Sequence, residues 1–346
     1  MVLRKEELQN QTIETIYFGG GTPSLLSINE LQLLIDTVFK NYRVIDNPEI
    51  TLEANPDDLM SASSLSPRAQ SRSLFEEYLN IGINRLSIGI QSFFEDDLKS
   101  MNRAHSFTEA KNCLSLATQH FDNISIDLIY GIPSMSIEKW NNNLQMAFNF
   151  GVNHISSYAL TVEPKTALDS FIKKGTYPPI DEELALHHFN HLIEESDKEG
   201  FVHYEISNFG KPDYFSKHNT SYWHGKPYLG IGPSAHSFNE EQRSWNIANN
   251  SKYIKSIEKD ELPNTTEALS IQDRYNEYIM TSLRTIWGIS LHKIEQDFGE
   301  HFKTCLLNQV QKHINNELIT LQNGVLQITK KGKFLADGIA SDLFMI

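Results

Sequence analysis

The chain has 346 residues, enough for one large domain and one small one, and its 40% apolar content supports a packed core. A net charge of -14, from 30 Lys/Arg against 44 Asp/Glu, argues against DNA or an anionic membrane surface as partner, because no basic block offsets it. No run approaches the ~18 apolar residues of a membrane span, and the first ten residues lack a signal-peptide core, so a cytoplasmic protein is expected, with membrane contact at most through partners.

In chain order, β-branched runs begin at residues 13, 49, 84, 123 and 153, each followed by a helical pattern. Their spacing of 30 to 39 residues is close to one βα unit, and near-continuous apolar strands predict a parallel sheet buried on both faces. Ser27 with Glu30 and Ser106 with Glu109 have the spacing of a capping box. Trp140, Leu144 and Phe148 form one apolar stripe on the helix after the fourth strand. Residues 61–73 hold six serines and Pro67 and read as a surface loop.

Beyond Asp181 a long amphipathic helix is predicted to Gly200, then a strand over 201–207. Past Pro263, helices over 269–284, 291–298 and 302–315 precede two short strands around Asn323-Gly324 and a last helix, the pattern of a winged-helix module. From Thr265 onward eight Lys/Arg face nine Asp/Glu, so nucleic acid is not expected there and a packing or lid role is. The expected domains are 1–175 (a partial barrel), 176–262 (a segment completing it) and 263–346 (the winged-helix-like module). Cys113 and Cys305 lie far apart in helical stretches, read as buried thiols, and suggest neither a disulfide nor a metal motif.

In a βα barrel the functional groups gather where the strands end. There the first strand runs into Gly19-Gly20-Gly21-Thr22-Pro23, whose bare backbone suits an amino-acid or phosphate head group. Glu53 closes the second strand and suits ribose hydroxyls or an ammonium group. Gln91 closes the third, and Arg103, expected in the following helical segment, suits a ligand carboxylate. Asp127, an acid inside an apolar strand, needs a partner. Structural caps and ion pairs would explain any one of these residues, but together they fit one ligand. A second group lies at Lys217-His218-Asn219-Thr220-Ser221-Tyr222-Trp223-His224 and at Tyr228 to His236. There His218, His224 and His236, read as loop histidines, are candidate iron ligands, and Tyr222 and Trp223 offer flat faces for a porphyrin.

The strings GGGTPSLLS (19–27), LEANPDD (52–58), INRLSIGIQSF (83–93), IDLIYGIP (126–133) and VEPKT (162–166) resemble the HemN/HemW group of radical S-adenosylmethionine (SAM) proteins over nearly the whole chain. That resemblance implies an α/β fold, a partial (β/α) barrel with a carboxy-terminal winged-helix-like domain. It implies SAM contacts by Gly20, Gly21, Thr22, Glu53, Gln91, Arg103 and Asp127. His218-Asn219-x-x-Tyr222-Trp223 resembles the haem-binding signature of the haem chaperones in this group. It implies haem contacts there and apo-haemoproteins as recipients. Oxygen-independent coproporphyrinogen III oxidation, and a cluster-free SAM-binding scaffold, stand as alternatives.

The group also implies a 4Fe-4S cluster on C-x3-C-x2-C upstream of the glycine turn, three thiolates leaving one iron open for SAM. Only eighteen residues precede Gly19 and none is cysteine. The expectation is a chain truncated relative to that group, lacking the first barrel strand, with an unpaired sheet edge, no ligated cluster and no SAM cleavage.

Overall fold

The structure, a computed structural model, describes residues 1–8, 11–63 and 74–346. The chain forms two compact units, one of Glu14–Asp36 and Asn47–Phe215, the other of Met1–Ile13, Thr37–Asp46 and Ser216–Ile346.

The elements of the first part alternate as the sequence pattern predicts: β1 (Ile13–Phe18), α1 (Ile28–Asn41), β2 (Val44–Ala54), α2 (Pro56–Ser63), α3 (Leu74–Asn80), β3 (Arg85–Gln91), α4 (Glu95–Ser100), α5 (Phe107–His120), β4 (Ile124–Tyr130), α6 (Ile137–Asn149), β5 (His154–Ala159), α7 (Ala167–Lys173), α8 (Glu182–Lys198), β6 (Val202–Glu205) and β7 (Asn208–Gly210). Among the described residues they build a seven-stranded curled sheet in the order β1-β2-β3-β4-β5-β7-β6, with β1 at one end. From β2 to β5 the pairs are parallel, whereas β7 pairs antiparallel with both β5 and β6. The half-barrel is thus parallel in its body and antiparallel at its far end. Ser106 and Glu109 form the complete capping box of α5, and Ser27 and Glu30 exchange the same bonds at α1. Of the loop predicted over 61–73, residues 61–63 belong instead to α2, and residues 64–73 lie outside the described residues.

The strands are not apolar on both faces. Ile50, Leu52, Leu86, Ile88, Ile90, Ile124, Ile126 and Leu128 are buried, and each contributes roughly 1.5–3 kcal/mol of burial. The residues between them, on the opposite face, are polar: Thr51 and Glu53 on β2, Arg85 and Ser87 on β3, Ser125 and Asp127 on β4, His154 and Ser156 on β5. Strand periodicity of two assigns every second side chain to this polar face. His154, buried there, bonds the Ser125 hydroxyl at 2.6 Å and the Tyr204 hydroxyl at 2.8 Å, whereas the buried Thr51 hydroxyl has no hydrogen-bond partner among the described residues. Trp140 and Leu144 are fully buried on α6, while Phe148, half-buried, meets Phe201 with ring centroids 5.5 Å apart.

The other unit holds α9 (Lys217–Trp223), β8 (His236–Phe238), β9 (Gln242–Asn246), α10 (Asn250–Ile257) and β10 (Asn264–Ala268), whose strands form an antiparallel sheet β10-β9-β8. This small sheet has no counterpart in the sequence reading. It is followed by α11 (Ile271–Leu283), β11 (Ile289–Ser290), α12 (Leu291–Phe298), α13 (Glu300–Asn315), β12 (Ile319–Gln322), β13 (Val325–Ile328) and α14 (Ala336–Asp342). These match the predicted winged-helix pattern, with β11 added to give a three-stranded sheet β11-β13-β12. Its core includes Tyr275, Ile279, Leu283, Ile294, Leu306, Val310 and Leu326, all fully buried. Near the amino terminus Arg4 is buried, held by Glu7 at 2.7 Å and donating to the Gly230 carbonyl at 3.0 Å and the Ser244 hydroxyl at 3.4 Å. Among the described residues no helix is long and apolar enough to cross a membrane.

Candidate functional site

The strand ends of β1, β2 and β3, the middle of β4 and the loop before α5 bring the predicted residues of the first constellation to one face, all within one unit. Glu53 is the organising acid. Its Oε1 accepts from the Tyr17 hydroxyl at 2.5 Å, and its Oε2 accepts from the Gly20 amide at 3.1 Å. The glycine turn is therefore fastened to the second strand by its own backbone. Gly20 and Gly21 have φ of 75° and 70°, the left-handed region that glycine enters without strain, and a Cβ on either would meet nothing within 4 Å. The space over them is open. A Cβ on Gly19 would instead strike the Tyr17 ring and the Glu53 carboxylate. Thr22 closes the turn and leads into a short 3-10 helix starting at Pro23.

Arg103 lies in the loop between α4 and α5, not in a helix as the sequence suggested. The reason is local: α4 ends at Ser100, Asn102 takes a positive φ, and Ser106 starts α5, leaving Arg103 on the connection. Its guanidinium donates to the Asn55 side-chain oxygen at 2.8 Å and to the Gly89 carbonyl at 3.4 Å. Gln91 ends β3 with a φ of 67°, which turns its amide off the regular strand alternation where the β3–β4 register slips. Gly89 lies between these groups. A Cβ there would stand 2.9 Å from the Gln91 amide nitrogen, 3.1 Å from the Arg103 guanidinium and 3.5 Å from the Asn55 oxygen, so the close approach of all three depends on its missing side chain.

Asp127 is partly exposed on the same face, bonded by Ser156. Desolvation first, then repulsion from Glu53, pushes its carboxyl up to about 7, against opposing pulls from Ser156, Arg103 and Arg85. Burial and the neighbouring Glu53 raise the Tyr17 hydroxyl above its ordinary range, so it stays a donor. Two acids, one amide, one guanidinium and an open glycine turn thus lie together on one face of the sheet. Tyr17, Asn55, Gly89 and Ser156 complete it and were not foreseen. Asn55 and Gly89 each lie two residues from a predicted site residue, so strand alternation carried a signal for them; the Tyr17 and Ser156 contacts depend on which strands become neighbours.

The second constellation lies in the other unit. Residues predicted as a loop form the helix α9, because the Ser216 hydroxyl accepts from the Asn219 amide at 3.2 Å and starts it. Helical spacing puts His218 and Tyr222 on one side, their rings edge-to-face at 4.8 Å, and Tyr222 meets Tyr228 at 4.6 Å. Burial lowers His218 to about 4, so its imidazole is neutral at pH 7. Trp223 lies under the Arg284 guanidinium at 5.6 Å, and His224 packs on Trp287 at 4.5 Å. Asn219 follows His218 with its amide in the cap. His236 stands apart from this helix, at the start of β8.

The thiols do not match a three-thiolate centre. Cys113 is fully buried in α5 and burial pushes it up to about 12, which keeps it protonated. Cys305 on α13 is half-exposed rather than buried as expected, beside His301 at 3.8 Å. The chain has no third cysteine.

The Radical SAM superfamily profile matches residues 2–147, and the HemN C-terminal domain profile matches residues 269–335. A protein named heme chaperone HemW from Bacillus subtilis (strain 168) is 30% identical over 332 residues, covering 94% of this chain and 84% of that one. A heme chaperone HemW from Buchnera aphidicola is 32% identical over 337 residues, covering 94% and 83%. The solved coproporphyrinogen III oxidase HemN of Escherichia coli superposes with a TM-score of 0.80 at 21% identity, covering 99% of this chain and 80% of that one, which shows the shared fold.

Proposed function

Because the chain belongs to the HemW family of radical SAM proteins, we propose that it is a haem chaperone: it binds haem and SAM and passes haem to apo-haemoproteins. The observation carrying the haem half is the helix α9, where a neutral His218 and the Tyr222 and Tyr228 rings make consecutive contacts in one unit. Neutral imidazole and flat apolar rings are the chemistry that a porphyrin and its iron accept. His218, Asn219, Tyr222 and Trp223 are the proposed haem residues.

The SAM half rests on the polar groups on one face of the seven-stranded sheet. Its groups fit SAM: the Cβ-free turn at Gly20 and Gly21 leaves room for the amino-acid end, Arg103 suits its carboxylate, Glu53 and Asp127 suit ribose hydroxyls or the ammonium, and Gln91 both donates and accepts. Thr22 completes the turn. SAM is the group through which this superfamily generates radicals, and that chemistry needs an iron–sulfur cluster. Two thiols, one of them buried and protonated, do not fit such a cluster, so no radical step is assigned to this chain.

Haemin titration of the purified chain tests the reading. A saturable Soret band, weakened in Tyr222→Ala and His218→Ala, is expected. An absent band, or a band equal to that of an unrelated acidic protein, would overturn it.

A further inference from the structure

His236 is held differently from the other histidines that bear on haem. The loop before it is braced through the backbone of Gly230, Gly232, Ser234 and Ala235. Gly230 donates to the Ser237 hydroxyl at 2.9 Å, and its carbonyl accepts from Arg4 at 3.0 Å and from Asn246 at 3.4 Å. The Gly232 carbonyl accepts from Asn246 at 2.7 Å, and the Gly232 amide donates to the Tyr253 hydroxyl at 3.3 Å. A Cβ on Gly230 would lie 2.1 Å from the His236 carbonyl, so the approach of the two backbones requires glycine. Ser234 is held at a φ of 62°, a conformation that costs a non-glycine residue free energy.

All this order supports an exposed imidazole. Among the described residues no hydrogen bond or ion pair reaches either nitrogen of His236, and its ring contact is the stacked indole of Trp245 at 6.1 Å and 29°. Ordering a surface loop costs backbone entropy at every residue, so this bracing is expected where a side chain must be presented in one place. By contrast, His105, His154, His188, His191 and His203 have ring nitrogens already bonded inside the fold.

The strand registry extends the surface. His236 faces Trp245 and Phe238 faces Arg243 across the β8–β9 pair, so the four share one face of the small sheet. The Arg243 guanidinium lies 5.9 Å from the Phe238 ring, and Phe238 meets Tyr228 at 6.0 Å, which in turn meets Tyr222 of α9. Aromatic contacts thus run within one unit from His218 to the sheet face that carries His236.

We propose that His236 is the protein ligand to haem iron, with Trp245 as a flat face beside it, and that His218 acts on the porphyrin surroundings rather than on the metal. The assignment rests on the haem-binding reading above. Partial burial of His218 against Tyr222 favours packing, whereas His236 offers both nitrogens to an incoming iron. The bond formed is a donor bond from a neutral imidazole nitrogen to iron, displacing water, with no electron transferred.

The test uses the full chain, haemin, and the variants His236→Ala, His218→Ala and His224→Ala, read by absorption and electron paramagnetic resonance. Because His236 is exposed, its replacement leaves the core untouched. The expected result is that His236→Ala loses the imidazole-ligated signature while still taking up haemin, and that added imidazole restores it. His218→Ala should weaken uptake yet keep the signature of the fraction bound, and His224→Ala should keep it as well. An unaltered signature in His236→Ala, or its loss in His218→Ala or His224→Ala instead, overturns the assignment. Failure of the unsubstituted chain to bind haemin at all refutes the chaperone reading itself, which keeps the two failures apart.

Discussion

Replacing Asp127 by asparagine should make the protein more stable at alkaline pH, and by a predictable amount. Asp127 holds its proton up to about 7 in the folded chain, against 3.8 for an ordinary aspartate, because desolvation and Glu53 oppose its charge more than Ser156, Arg103 and Arg85 favour it. The folded state therefore binds one proton more than the unfolded chain between those values. Stability from this group is fully present below about pH 4 and is lost as pH rises through 7. At 1.36 kcal/mol per pH unit, the loss between pH 5 and pH 8 is roughly 2–3 kcal/mol. Asparagine carries no charge at either pH and keeps an oxygen for Ser156, so the loss is absent in Asp127→Asn. Urea denaturation of both proteins at pH 5 and pH 8 measures it: the variant should gain about 2–3 kcal/mol more at pH 8 than at pH 5 relative to the parent. A gain that is equal at the two pH values would show that Asp127 is charged in the folded protein at pH 5, and the electrostatic account of this polar face would fall. A stabilised variant that no longer binds SAM would mark Asp127 as a residue kept for function against stability.

Gly89→Ala should weaken SAM binding about tenfold, a change of 1.4 kcal/mol, because the new methyl displaces Gln91 and Arg103 together; isothermal titration would refute this by returning the parental affinity. Leu306→Ala, which empties a fully buried position of the carboxy-terminal core, should cost about 2–5 kcal/mol and leave SAM binding at the other unit intact, read by thermal denaturation and titration side by side. Under reducing conditions with added iron and sulfide, chromatography should detect no 5′-deoxyadenosine from SAM; its appearance would mean that two cysteines suffice.

Much of the barrel was legible because it is written in short-range terms. Five β-branched starts coincide within a few residues with β1 to β5, and the Ser-x-x-Glu pairs do cap α1 and α5. The small sheet β8–β9–β10 was invisible, since strands of three to five polar residues carry almost no periodic signal and are stabilised by pairing with each other. Arg103 was misplaced by one element, a boundary decided by Asn102 and the Ser106 cap. The aromatic signature was read as loop because seven residues give less than two turns of helix to recognise.

The sequence by itself determined the glycine turn, the number of thiols and which residue types stand on the strands, because these depend only on neighbours in the chain; strands read as near-continuously apolar proved polar on one face only once they were paired. Only the tertiary structure decided that Glu53 fastens Gly20, that Gly89 lets Gln91, Arg103 and Asn55 meet, and that His236 is presented with both nitrogens open. Several of those relations, Glu53 with Gly20 and Arg103 with Asn55, join residues tens of positions apart, and their strength comes from distance and desolvation, which exist only once the strands are side by side.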